Sequence, residues 1–167
     1  MIKVKAILEQ YAAYNLWANQ RLLQTVLSLT EPQQRQLVPG SFPSLHDTLL
    51  HMFDASSVWW QRLKMNETVT WPGKDYKGST SDAINEMLHQ DKLWHAWILQ
   101  ANEAALDHVF HYQNSKKEKF RQPAYEMLLH LFNHSTYHRG QIVTTLRLLN
   151  IEKIPATDFI VFSRLKK

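Results

Sequence analysis

The chain contains no cysteine. This excludes a disulfide framework, a thiolate nucleophile of its own and any Cys-ligated zinc site, so metal chemistry has to rest on nitrogen and oxygen ligands. No stretch approaches the roughly 20 uninterrupted apolar residues that span a bilayer, and the opening "MIKVKAILEQ" lacks the apolar run and small-residue cleavage site of a signal peptide. The expectation is a cytoplasmic protein with no membrane partner. Internal repeats, low-complexity tracts, zinc-finger spacing, RNP motifs, a P-loop and an HExxH glutamate are all missing.

The 167 residues, 44% of them hydrophobic, suffice for one domain over 1–167 with its own core. A net charge of +4 and a pI near 9.3 raise the question of nucleic acid, because a basic face gains affinity by releasing phosphate counterions. The distribution answers it. Basic residues are scattered except for Lys116, Lys117, Lys119 and Arg121 and the tail Arg164, Lys166 and Lys167, which read as a solvated hairpin and a solvated terminus. No nucleic-acid partner is expected.

Four long segments carry helical periodicity. Over about residues 3 to 29, Leu8, Tyr11, Ala18, Leu22, Val26 and Leu29 recur at three- and four-residue steps. The second helix opens at "SLHD", with Ser44 as cap and Asp47 as its capping-box partner, and its apolar stripe is Leu45, Leu49, Met52, Ser56, Trp59 and Leu63. "STSD", Ser79 to Asp82, caps the third, whose inward positions are Ala83, Met87, Trp94, Ile98, Ala105 and Leu106. "HVFHYQNSKKEKFRQP" then alternates aromatic residues around a polar turn and predicts a small hairpin. The fourth helix starts at Pro123 and runs to about Asn150; the tail holds an apolar cluster, Phe159 to Phe162. The fold class is all-α: a four-helix bundle with a small hairpin between the third and fourth helices. Spacing leaves the topology open, because any of these connections is long enough to cross the bundle.

The fourth helix reads "HLFNHSTYHRGQI", three histidines at four-residue intervals. On a wheel, Ala124, Leu128, Leu131, Ser135, Ile142, Leu146 and Leu149 form the inward stripe; His138 lies inside it, His134 about 40° off, and His130 about 40° further out. Each buried imidazole has a donor and an acceptor to satisfy, at about 1–3 kcal/mol if either fails. Two at i and i+4 share a face and can converge on one ion. His130 and His138 are about 12 Å apart along the axis, so they cannot serve the same one, and the wheel selects His134 with His138. A third ligand is needed from another helix, with His46, His51, Asp54, His89 and His95 as candidates. Periodicity leaves these open, His51 lying off the centre of its stripe.

These stretches resemble a known family. "HLFNHSTYHRGQI" resembles the C-terminal histidine motif of the DinB/YfiT-like superfamily, "YNLWANQRLL" its first-helix motif, "LLHMFDASSVWW" its second-helix motif, and "PATDFIVFSRL" its ending. This is the small damage-inducible bundle family, not the DNA polymerase of similar name. The resemblance implies an up-down-down-up bundle, often dimeric, in which His51, His134 and His138 hold a divalent transition metal, zinc or nickel foremost.

Three imidazoles without a fixed fourth ligand are the arrangement of a catalytic site. A bound ion lowers the pKa of water, polarises a carbonyl or holds a thiolate. The expected function is a metal-dependent enzyme acting on a small molecule, either a hydrolase using metal-bound water or a transferase activating a low-molecular-weight thiol. The alternative is a stress-related metal-binding or interaction protein whose ion stabilises the bundle. Proton competition places loss of metal near the histidine reference value of about 6.5. Asp54 either orients His51 or is solvated. Arg139 either steers an anionic substrate or lies in a surface or salt-bridge role. Trp59, Trp60, Trp94 and Trp97 are core positions, with one or two available to line a pocket.

Overall fold

The computed structural model describes residues 3–114 and 116–165; Lys166 and Lys167 of the basic tail lie outside them. Helix α1, Val4–Leu27, buries Leu8, Ala12, Ala18, Leu22 and Val26, and places two asparagines, Asn15 and Asn19, on the same buried face. A four-residue helix α2, Glu31–Gln34, follows, capped reciprocally by Thr30 and Gln33 and started by Pro32. Helix α3, Leu45–Leu63, begins at Ser44, whose hydroxyl accepts from the Asp47 N–H at 3.1 Å. The expected full box is only half formed: the Asp47 carboxylate takes the Ser44 hydroxyl rather than its backbone N–H.

Helix α4, Thr80–Gln100, has the complete Ser79/Asp82 box. It ends sooner than the apolar periodicity predicts. Ala101 is extended, and Asn102 starts a separate helix α5, Glu103–Asp107, by accepting from the Ala105 N–H at 2.8 Å. Ala105 and Leu106 therefore belong to α5, and Leu106 still reaches the core. The hairpin is β1, Val109–Gln113, antiparallel to β2, Lys119–Pro123, with His111 opposite Arg121. Its turn places Lys117 at φ 64°, held by the Asn114 side chain accepting from the N–H groups of Lys116 and Glu118. Helix α6, Ala124–Leu148, follows directly. The tail ends in α7, Phe159–Arg164, whose Phe159 and Phe162 pack on Tyr14 and Trp17 of α1.

Two apolar clusters fix the helix directions. One gathers Leu8, Trp94, Ile98, Met127 and Phe132, with Trp59 and Leu63 packed on it. The other gathers Leu22, Val26, Leu45, Leu49, Ile84, Met87, Ile142 and Leu146. The start of α1 and of α6 thus lies with the end of α3 and of α4, which is an up-down-down-up bundle. Helix α1 packs against α4 and α6, and so does α3.

Because α3 and α4 run the same way, the segment 64–79 has to travel the bundle's length, about 28 Å for a 19-residue helix. It is pinned on the way. Gln61 exchanges two hydrogen bonds with the Thr70 backbone, and the Asp54 carboxylate accepts from the Gly73 N–H at 2.6 Å. A Cβ at Gly73 would sit 2.7 Å from Asp54 Oδ2, so a side chain there would displace the carboxylate from this position. Asp54 is half-buried and has no hydrogen bond to His51; through Gly73 it anchors the crossover.

Candidate metal centre

A polar layer separates the two apolar clusters. Arg139 is 2% exposed. Its Nη1 donates to Asn15 Oδ1 at 2.8 Å, Asn19 Oδ1 at 3.0 Å and Ser135 Oγ at 3.0 Å, and Nη2 donates to Thr136 Oγ1 at 2.6 Å. The asparagines pass the charge on, their amides donating to the two Asp91 oxygens at 3.1 and 2.7 Å. Arg139 is therefore a structural cation facing α1, turned away from the histidines. Sequence reasoning missed this layer; the asparagine pair at i and i+4 inside the first apolar stripe was its signal.

On the flank of α6 toward α3, His134 and His138 stand one turn apart with Nε2 atoms 3.0 Å from each other. Helix α3 supplies His51, its ring 4.6 Å from that of His138 and 5.4 Å from that of His134. One nitrogen from each ring lies within 4.8 Å of the other two. Ligand distances of about 2.0–2.1 Å in tetrahedral geometry give nitrogen separations of about 3.3 Å, close to the 3.0 Å between the His134 and His138 Nε2 atoms and inside the 4.8 Å that contains all three. The donor set suits a divalent transition ion, and among the described residues no fourth His, Asp or Glu joins it. His51 sits off the centre of its stripe because α3 has two neighbours: the stripe faces the bundle axis and His51 faces α6.

The other candidates are placed elsewhere. His46 is buried and paired through Nδ1 with Thr80 Oγ1 at 2.9 Å, His89 is exposed, and His95 is half-buried on α4 outside the cluster. His130 packs against Trp59 and the outer side of His134. Trp94 is core and donates to Ser56 Oγ at 2.9 Å.

Two supports of the site came from residues that periodicity does not single out. Gln141 Oε1 accepts from His138 Nδ1–H at 2.7 Å, which leaves the Nε2 lone pair directed at the cluster, and its amide donates to Ser41 Oγ at 3.1 Å. Phe42 stacks on His51 at 4.6 Å and meets His138 edge-on at 5.7 Å. Beside them lies a cleft of about 320 Å³ lined by Ser41, Phe42, Thr48, Tyr137, Gln141 and Thr144.

The electrostatics favour a cation. Burial, reinforced by the charges its three neighbouring histidines carry when protonated, pushes His134 down to about 4. Burial also lowers His51, with a further contribution from His138, and it lowers His138 against the opposing effect of Gln141. All three shifts favour the neutral ring, the form that can ligate a metal, and without an ion His134 and His138 share a proton between their Nε2 atoms. Proton competition is thereby displaced below the reference value near 6.5. Since no carboxylate joins the cluster, a divalent ion there keeps its full charge for an incoming ligand.

This histidine geometry sits in a bundle whose helix order and directions are now fixed, and a sequence profile of the DinB family matches residues 1–165. The chain belongs to the DinB family. It is 27% identical over 154 residues to Protein DinB of Bacillus subtilis (strain 168), covering 87% of each chain. Among solved structures it is similar to YfiT from Bacillus subtilis, described as a probable metal-dependent hydrolase with an unusual four-helix bundle topology. That similarity has a TM-score of 0.70 at 16% identity and covers 90% of this chain and 91% of the other. At such identity it bears on the fold, and both are four-helix bundles.

Proposed function

We propose that His51, His134 and His138 hold one divalent transition-metal ion, zinc or nickel, and that the chain is a metal-dependent enzyme for a small-molecule substrate. The observation that carries this reading is the convergence of three neutral imidazole nitrogens within 4.8 Å without a protein carboxylate among them. The description of YfiT as a probable metal-dependent hydrolase supports it. A bound ion supplies Lewis acidity toward a water or a substrate oxygen, or a seat for a thiolate. The chain supplies the rest: Gln141 fixes the His138 ring, Phe42 walls the site, and the Ser41–Phe42–Tyr137–Gln141 cleft receives the substrate.

The reaction in this proposal is hydrolysis, or transfer to a low-molecular-weight thiol. Metal analysis joined to a panel of esters, amides and thiol acceptors tests it, with stripped protein as control. Activity that survives complete stripping refutes it. A non-catalytic reading, in which the ion chiefly staples α3 to α6, draws on the ligands' origin in two helices. It predicts full metal occupancy, a large loss of melting temperature on chelation and silence across the panel. The remaining parts of the proposal are one domain over 1–167, a cytoplasmic location, a damage-inducible role and pairing of two copies, which sedimentation in solution tests. No helix among the described residues is long and apolar enough to cross a membrane.

A further inference from the structure

When a cation takes the Nε2 lone pairs of both His134 and His138, the ring proton of His134 has to reside on Nδ1. His138 has Gln141 to receive its Nδ1 proton. His134 has no such partner: its hydrogen bond runs from Nε2 to His138, and no protein acceptor among the described residues takes a hydrogen bond from its Nδ1. A ligand imidazole whose second nitrogen is left unbonded is uncommon, because that bond fixes both tautomer and ring orientation.

What lies on the inner side of His134 is a cavity of about 20 Å³, bounded by His134, Ser135, Ser56, Asp91, Asn15 and Asn19. Its volume fits one water molecule, and its walls offer more than the two polar partners a buried water needs. The Asp91 carboxylate has about four acceptor positions, two of which the asparagine amides occupy. Ser56 Oγ accepts from Trp94, and its own proton has no protein acceptor among the described residues. Asp91 is 6% exposed, so bulk solvent does not compete for it. Helix α4, which contributes no ligand, thus brings a carboxylate to the back of a ligand supplied by α6.

We infer that one ordered water fills this cavity and links His134 Nδ1–H to the Asp91 carboxylate, making Asp91 a positioning residue for the metal ligand His134. The inference rests on the metal reading above and goes beyond it, since it ties the buried Asn15–Asn19–Arg139 layer to the metal centre. In this arrangement His134 donates to the water and the water donates to Asp91. The carboxylate stays ionised with the help of the two amides, and it raises the basicity of the imidazole at one remove.

The test uses cobalt(II) as the probe ion on the full chain, with Asp91→Asn beside the wild type. The wild type binds about one equivalent with a visible d–d spectrum. Asp91→Asn weakens cobalt by about tenfold, the lower end of what loss of an outer partner costs, and shifts the absorption bands. A purely structural Asp91 changes the melting temperature alone, so wild-type affinity with an unchanged spectrum in the variant overturns the inference while leaving the metal reading intact. Absence of cobalt binding by the wild type overturns both. If Asp91→Asn does not fold, ¹⁵N-histidine NMR of the zinc-loaded wild type decides: the inference requires a Nδ1-protonated His134 whose proton cross-relaxes with a long-lived water. A His134 without that proton contact overturns it.

Discussion

Replacing Gln141 with Ala separates the proposed metal site from the fold. The substitution removes the acceptor 2.7 Å from His138 Nδ1 and the link through Ser41 to the segment that carries Phe42. His138 is 3% exposed, so water replaces the lost acceptor poorly and the ring is free to rotate or change tautomer. Outer partners of metal-bound histidines are worth about 10–100-fold in affinity, or about 1.4–2.7 kcal/mol. The global fold loses only about 1 kcal/mol, the ordinary contribution of one hydrogen bond. Zinc affinity measured by chelator competition should fall at least tenfold, with the metal-free melting temperature lowered by a few degrees. Gln141→Glu, which keeps an acceptor and adds charge, should hold zinc at least as tightly as the wild type. Equal affinity in Gln141→Ala and wild type would refute the argument that this contact orients a ligand.

Other perturbations test other parts of the account. For the metal-free chain, the lowered histidines bind protons more readily unfolded than folded, so their contribution to stability is present above the reference value of about 6.5 and lost as pH falls toward the folded value of about 4 for His134. Asp91, pushed up to about 6 by burial against the lowering effect of Asn19, Arg139 and Asn15, acts in the opposite sense over the same interval. Denaturant titrations at several pH values should therefore show a steeper acid loss in Asp91→Asn than in wild type; parallel curves would contradict the assignment. Gly73→Ala should cost about 1–3 kcal/mol by driving a Cβ into Asp54 and loosening the 64–79 crossover, and an unchanged melting temperature would contradict the pinning role. Arg139→Met should destabilise by about 3–5 kcal/mol, because it strands Asp91 and the asparagines, while leaving metal bound to the fraction that folds; metal loss at full stability would point to a direct role at the site.

Much of the architecture is legible in the chain because its local signals agree. The Ser79–Asp82 box, the Pro123 start and the apolar stripes of α1, α3 and α6 each name an element and its buried face. The pair His134 and His138 follows from helical geometry alone. His51 does not, because a helix wedged between two neighbours carries side chains on its flank, where hydrophobic periodicity is silent; only the motif resemblance singles it out as a candidate ligand. Arg139 is the sharpest departure. A charged residue reads as surface until the tertiary fold brings Asn15, Asn19, Ser135 and Tyr14 around it, and partners from another helix are invisible to a one-helix argument. The break between α4 and α5 escapes for the opposite reason: its cap is a lone Asn102 within an otherwise continuous apolar rhythm.

The most direct test of the metal centre is the metal content of purified wild type beside His51→Ala, His134→Ala, His138→Ala and His130→Ala, each verified as folded by circular dichroism. About one transition-metal ion per chain is expected in the wild type and in His130→Ala, and essentially none in the other three. Full occupancy in folded His138→Ala, or equal loss in His130→Ala, would contradict the three-histidine centre.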